Sequence, residues 1–393
     1  MQKKLIHTPE GVRDIYGNEF RKKLETQNRL MEVLRSFGYE DIQTPVFEFF
    51  DIFSGNIGTT PSKELYKFFD KEGDTLALRS DFTPSIARAT AKYFADEDMP
   101  LRFCYQGNTF VNTSDYQGRL KETTEIGAEL INDGSVDADV EVLLMVVEAL
   151  RSVGLKDFQI SIGNLEFFKG LCGEYGIDEE MELELREMIN DKNYFGTQDI
   201  LDSLKLNDDV KNIFARMPEM FGGKDILSEA KGYVTNKRSL AAIDRLTQIY
   251  ELLSMNGAGD HISFDLGMLS RYNYYTGIIF RAYTYGSGDA IVKGGRYDNL
   301  LNEFGKNAEA IGFCIVIDRL MSVLARQKIK TDNIRPDMYL ITYSDGSALT
   351  AYKKASEIRS GGGIAVLMSK SVYSDQKVKE YAKEHELKIT DIS

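Results

Sequence analysis

Two short stretches of the chain bring acids and hydroxyls close enough to act on a small molecule. Leu78-Arg79-Ser80-Asp81-Phe82-Thr83-Pro84 places a carboxylate and a hydroxyl between an expected strand and an expected helix. Asp is a favoured helix cap, so Asp81 suits that structural task as well as the binding of a cation. Glu125 and Glu129 stand four residues apart on another expected strand, so both face the same side. On a buried side two carboxylates are costly without a cation or hydrogen-bond donors; on a solvent side they signify nothing. Arg119, Tyr274 and Tyr275 could complete a pocket for an ammonium group and a neutral ring. Tyrosines in such a run are by default packing residues with a bonded hydroxyl. The chemistry on offer is recognition of a small ligand.

Common catalytic signatures are missing. There is no Gly-x-x-x-x-Gly-Lys-Ser/Thr phosphate loop, and Gly222-Gly223-Lys224 lacks the partners of one. Gly286-Ser287-Gly288 lacks the third glycine of a dinucleotide loop. His7, His261 and His385 are isolated, so no metal site is expected on them, and His261 reads as a structural histidine at a strand start. No cofactor is expected. Cys104, Cys172 and Cys314 are far apart and odd in number, which fits buried thiols in a reducing compartment.

The elements that must position these residues follow from periodicity. Residues 20–37 predict an amphipathic helix with Leu24, Leu30, Met31, Leu34 and Phe37 near one face and Gly38 as a left-handed end. Strands are expected at 75–79, 101–106 and 124–131, the last with Ile126, Ala128 and Leu130 alternating with polar or small residues. A helix follows at 137–152, capped by Ser135 or Asp137 and ended near Gly154, and then a strand at 158–163. From 165 to 255 every segment reads helical, as a small insertion. Strands return at 261–267, 277–285, 289–293 and 310–317. This order predicts an α+β core over residues 1–326 with an inserted helical subdomain. Residues 327–336, polar and ending at Pro336, predict a linker. Residues 337–393 predict a small βαβαβ module with a parallel or mixed sheet.

Of the 393 residues, 42% are hydrophobic and 28% charged, ordinary for a globular protein. No apolar run approaches the roughly 20 residues of a membrane span, and the N-terminus carries no long apolar signal segment, so a cytoplasmic protein without membrane contact is expected. The net charge of −13, with no Lys/Arg block, argues against nucleic acid as a partner.

The order of motifs over residues 5–325 resembles the class II histidyl-tRNA synthetase family. Thr8-Pro9-Glu10-Gly11-Val12-Arg13-Asp14 is similar to its opening turn, and Leu78–Thr83 to its Arg-Pro-Glu-Gly-Thr segment. Arg102–Phe110, Gly118-Arg119 and Glu125–Glu129 resemble motif 2 and the strand after it. Asn273-Tyr274-Tyr275-Thr276-Gly277 and Gly294-Gly295-Arg296-Tyr297-Asp298 resemble the histidine-specific segments, and Ile311–Leu320 motif 3. The resemblance implies a class II aminoacyl-tRNA synthetase-like antiparallel sheet with flanking helices. It also implies dimerisation through motif 1 near Phe37–Val46. There Ile42-Gln43-Thr44-Pro45-Val46 is expected as a strand, either at a dimer edge or packed inside one subunit. It further implies that Asp81 and Glu129 hold the α-amino and imidazole groups of histidine, helped by Thr83, Tyr274 and Tyr275, with Arg119 as the cation for its carboxylate. Asp81 is one carbon shorter than the usual glutamate, and Glu125 replaces a glutamine.

The departures concentrate where the family grips ATP. Val111 follows Phe110 where an arginine takes the α-phosphate, Ser270 occupies the place of the histidine-specific catalytic arginine, and Val316 replaces a small residue beside adenine. Losing one such cation costs about 3 kcal/mol or more of transition-state stabilisation. Arg271, one residue along a strand, would point to the opposite face. The C-terminal module is shorter than this family's anticodon-binding domain and resembles a truncated one.

A synthetase-like fold that keeps a histidine pocket and loses its ATP site resembles the regulatory-subunit family of ATP phosphoribosyltransferase. That resemblance implies a non-catalytic chain that joins a short-form catalytic subunit, as a homodimer within a hetero-octamer, in the first step of L-histidine biosynthesis. It implies allosteric feedback by histidine. A divergent histidyl-tRNA synthetase and a stand-alone synthetase-like amino-acid- or RNA-binding paralogue remain as alternatives.

Overall fold

A computed structural model describes residues 6–54, 60–113, 120–204, 206–270, 274–329 and 336–392. The chain divides into two units, Met1–Thr331 and Asp332–Ser393. The first begins with α1 (Gly17–Ser36), β1 (Glu40–Asp41), β2 (Phe47–Phe49), β3 (Lys67–Phe69), β4 (Thr75–Leu78) and α2 (Thr83–Tyr93). It continues with β5 (Leu101–Phe110), β6 (Glu122–Ile131), α3 (Val136–Ser152) and β7 (Phe158–Asn164). A helical block follows: α4 (Leu165–Glu174), α5 (Glu179–Asn190), α6 (Tyr194–Ser203), α7 (Asp208–Arg216), β8 (Phe221–Gly222), α8 (Asp225–Lys231) and α9 (Lys237–Met255). The unit closes with β9 (Ile262–Asp265), β10 (Ile278–Thr284), β11 (Val292–Arg296), β12 (Ala310–Val316) and α10 (Ile317–Arg326).

Nine strands form one sheet in the order β1-β5-β6-β12-β11-β10-β7-β9-β8. Its centre is antiparallel, as the fold class requires, but β1 joins β5 and β7 joins β9 in parallel, so the sheet is mixed. The physical reason is connection length. The helical block separates β7 from β9 and gives the chain the long crossover that a parallel pair needs. The block is not wholly helical: Phe221 and Gly222 pair with Asp265 and Phe264. A two-residue strand leaves no period to read.

One face of the sheet is covered by helices. Ile126, Ala128, Leu130, Phe280 and Ile315 are buried there with Leu30, Met31 and Leu34 of α1 and the apolar side of α3. Helix α1 ends where Gly38 takes φ +84°, a backbone setting that costs a side chain strain. Ser135 starts α3, accepting from the Ala138 amide at 3.1 Å. Phe167, Phe168 and Leu246 of α4 and α9 belong to the same core. His261 is tied into the fold, its Nδ1 3.0 Å from the Phe158 carbonyl and its ring stacked on Phe158.

The segment Ile42–Val46 is not a strand, contrary to expectation. The strand there is Glu40–Asp41, at the sheet edge. The Thr44 and Pro45 carbonyls instead accept from the Arg79 guanidinium, and Pro45 has no N–H for a ladder. Strands β2, β4 and β3 make a separate antiparallel sheet beside the site.

The second unit holds β13 (Met338–Tyr343), α11 (Ala348–Ser360), β14 (Ile364–Ser369), α12 (Asp375–Glu384) and β15 (Lys388–Ile392). All three strands run parallel in the order β14-β13-β15. The last strand begins only at Lys388. Glu386 takes φ +56° and the Leu387 amide still closes α12 on Ala382. No helix among the described residues is long and apolar enough to cross a membrane.

Candidate functional site

The face of the nine-stranded sheet away from the covering helices is the floor of a cavity of about 740 Å³. Its layout follows from strand register, because residues directly opposite on antiparallel strands share a face. One row runs Glu129, Gly312, Gly295, Ile279 across β6, β12, β11 and β10. The next runs Gly127, Cys314, Lys293, Arg281. Glu125 begins a third, opposite Val316. The glycines give the floor its depth: a side chain on Gly312 would occupy the place of the Glu129 carboxylate, and one on Gly295 would strike the Tyr275 ring.

The turn between β4 and α2 forms one wall. Arg79 fixes it, donating to the carbonyls of Asn108 at 2.8 Å and Thr44 at 3.1 Å while its guanidinium lies over the Phe82 ring. Phe82, not Asp81, holds the N-cap position of α2, but Asp81 Oδ1, one residue earlier, accepts from the Thr83 amide at 3.1 Å and so serves the start of the helix while lining the cavity. The two readings of Asp81 are compatible. Tyr274 and Tyr275 form another wall, their ring centroids 4.5 Å apart, with Tyr297 edge-on to Tyr274.

Asp81, Thr83, Glu125, Tyr274 and Tyr275 therefore come together around one cavity. Glu129 lies just beneath its wall, with 1% of its surface exposed. Both Glu129 oxygens are already bonded: Thr83 Oγ1 donates to one at 2.7 Å and the Tyr297 hydroxyl to the other at 2.5 Å. Arg119 lies outside the described residues, as do Arg271 and Asn273.

The carboxylates are strongly perturbed. Burial pushes Glu129 up to about 8, against the opposing pull of the Tyr297 and Thr83 hydroxyls. Burial and the neighbouring Asp81 push Glu125 up to about 8 as well, opposed by Lys293 and a hydrogen bond from Thr109. The Tyr297 hydroxyl is raised by burial and by Glu129. The two carboxyls can share protons with a ligand near neutral pH, whereas Tyr297 keeps its proton. They do not activate a nucleophile: the thiol of Cys314, which also lines the cavity, is pushed far up by burial. Among the described residues no group of three His, Cys, Asp or Glu side chains could hold a metal ion.

Two site residues carried no separate assignment in the sequence. Lys293 and Gly295 on β11 and Tyr297 just past its end recur every second residue, and all three line the cavity. Arg296, between them, points the other way and is buried against Asp139 at 2.6 Å, which Arg245 also holds at 2.6 Å. That anchor fixes the strand from behind.

Val111 and Val316 also line the cavity, Val316 directly opposite Glu125. Ser270 is buried, with 3% exposed, and lines a smaller adjoining cavity of about 200 Å³. The sequence profile described as "Histidyl-tRNA synthetase" matches residues 11–320. An "ATP phosphoribosyltransferase regulatory subunit" of Acetivibrio thermocellus is 39% identical over 91% of this chain and 85% of its own length. A protein of the same name from Clostridium kluyveri is 35% identical over 98% of both chains.

The chain belongs to the histidyl-tRNA synthetase-like family of ATP phosphoribosyltransferase regulatory subunits.

The fold of this regulatory-subunit family is seen in a crystal structure from Bacillus halodurans, described as an ATP phosphoribosyltransferase regulatory subunit/histidyl-tRNA synthetase. It superposes with a TM-score of 0.88 at 30% identity, covering 98% of this chain and 97% of that one.

Proposed function

We propose that the chain is a non-catalytic regulatory subunit that supports a short-form ATP phosphoribosyltransferase catalytic subunit and carries feedback inhibition by L-histidine. The supporting observation is the lining of the cavity. Asp81, Thr83, Glu125, Tyr274 and Tyr275 offer groups suited to an amino acid, while Val111 and Val316 in the same lining and Ser270 in the adjoining cavity stand where a synthetase-like site needs cations and space for ATP. Asp81, steadied by the Thr83 amide, takes the α-ammonium group. Tyr274 and Tyr275 flank the imidazole. Glu129 acts through Thr83 and Tyr297, whose hydroxyls donate to it and keep their oxygen lone pairs to accept from the ring N–H. Arg119 takes the carboxylate, and Glu125 accepts a proton or a hydrogen bond from the ligand.

Histidine would bind one assembly state of a cytoplasmic hetero-octamer built on homodimers better than another. The ligand then shifts that equilibrium and lowers catalysis in the partner. Nucleic acid has no part in this reading, in keeping with the net charge of −13.

The test is phosphoribosyl-ATP formation by a matched short-form catalytic subunit, with and without this chain, across a histidine titration. Activity should depend on the chain and fall as histidine rises. Glu129→Ala should weaken inhibition by about tenfold or more, since it orphans two hydroxyls of the ring site. Unchanged inhibition would place the histidine site elsewhere. Histidine-dependent ATP–pyrophosphate exchange by the chain alone would instead make it a synthetase.

A further inference from the structure

We propose that the smaller cavity, bounded by Ser270, Arg281 and Lys293, binds a small oxyanion: a phosphate or a carboxylate group. Arg281 and Lys293 are direct cross-strand partners on β10 and β11, so their side chains leave the sheet on the same face. Like charges placed directly opposite destabilise an antiparallel pair. Neither cation makes a hydrogen bond or ion pair among the described residues, and both are only half-buried beside an open volume of about 200 Å³.

The carboxylates in reach do not answer this charge. Asp289 is held by Arg319 at 2.8 Å. Asp265, which feels Arg281, lies 3.7 Å from Lys192 and accepts from the Gly267 amide at 3.0 Å. Glu125, which feels Lys293, is pushed up to about 8 and is mostly uncharged at neutral pH. A guanidinium fork beside a lysine point charge suits an oxyanion. Asn190, at the end of α5, adds a buried side-chain oxygen with no donor among the described residues. A P–OH group or a bound water would supply that donor.

Tyr275 and Lys293 line both cavities, so an anion here would sit next to the proposed ring site. It could be free phosphate or the carboxylate of an amino acid seated in the larger cavity, in which case this pair takes the role assigned to Arg119. The experiment separates these sources. Full-length chain at low ionic strength is titrated calorimetrically with inorganic phosphate, with L-histidine and with histamine, which lacks the carboxylate. The same titrations are run on Arg281→Gln and Lys293→Met, with Tm recorded in anion-poor buffer.

A free-phosphate site predicts that each substitution weakens phosphate binding by about tenfold or more. A carboxylate site predicts the same loss for histidine with histamine unchanged. In either case Tm without added anion should hold or rise, because repulsion is relieved. Binding of phosphate and histidine that is undetectable, or indifferent to both substitutions, would overturn the proposal. So would a fall in Tm for both variants without anion, which would make the pair part of the scaffold. None of these readouts uses the phosphoribosyltransferase partner, so failure here leaves the regulatory reading to its own assay.

Discussion

Two neighbouring rows of one sheet treat charge in opposite ways. In the row through Glu129, Gly312 and Gly295, the single ionisable group is sunk beneath the surface and both its oxygens are bonded to hydroxyls. In the row through Gly127, Cys314, Lys293 and Arg281, two cations stand opposite each other with no bonded partner among the described residues. Strand β11 repeats the contrast along its length, since Arg296 is buried and doubly held by Asp139 and Asp298 while Lys293 faces open space. A row whose charges are answered within the chain is scaffold. A row whose charges are left unanswered is where a ligand can gain most.

The sharpest way to break this contrast is to unanswer a scaffold charge. Asp139→Ala leaves Arg296 buried without its main partner, and denaturant unfolding should show a loss of about 3–5 kcal/mol. A loss near zero would mean that Arg296 finds other company, and that β11 does not divide as described. Next in size is Gly312→Ala, whose methyl must displace the Glu129 carboxylate. About 2–3 kcal/mol should be lost, together with ligand binding in the larger cavity.

The acids of the floor give a prediction in pH. A carboxyl raised to about 8 in the folded chain holds its proton there while the unfolded chain, near 4.5, has released it. The folded state then binds more protons between those values, so stability is highest on the acid side and falls as pH rises from about 5 to 8. Glu125→Gln should flatten part of that fall and add on the order of 1–2 kcal/mol at pH 8.5, discounted because Glu125 is partly solvent-exposed. A pH profile identical to the parent would show Glu125 ionising normally. The smallest effect belongs to the open row. Lys293→Met in anion-poor buffer should change stability by about 0.5 kcal/mol or less, and upward if at all.

Local pattern carried much of the first unit. The Leu30, Met31 and Leu34 part of the α1 stripe, its end at Gly38 and the Ser135 cap of α3 are short-range features that appear where their residues place them, whereas Leu24, expected on the same face, is exposed. That Glu125 and Glu129 share a face was legible too. Which side of β6 would be buried was not, because both sides are covered, one by helices and the other by the turn at Ser80–Thr83. Register was equally hidden. Glu129 lies against Gly312 through a pairing between strands remote in sequence, and Lys293 meets Arg281 through a connection between neighbouring strands whose turn the sequence did not fix. The loss of the expected strand at Ile42–Val46 has the same origin, since the Arg79 guanidinium that takes its carbonyls arrives from another segment.

The outermost strands of the large sheet, β1 and β8, are only two residues long each. Glu40 and Asp41 of β1 are both exposed acids, and Asp41 is drawn aside by Arg35 at 2.8 Å. The two terminal strands thus offer little backbone of their own, and one of these margins repels its own kind. A copy that zipped on at β1 or β8 would gain no more than a two-residue ladder. Such a short ladder holds nothing by itself, so recognition at those margins falls to side chains.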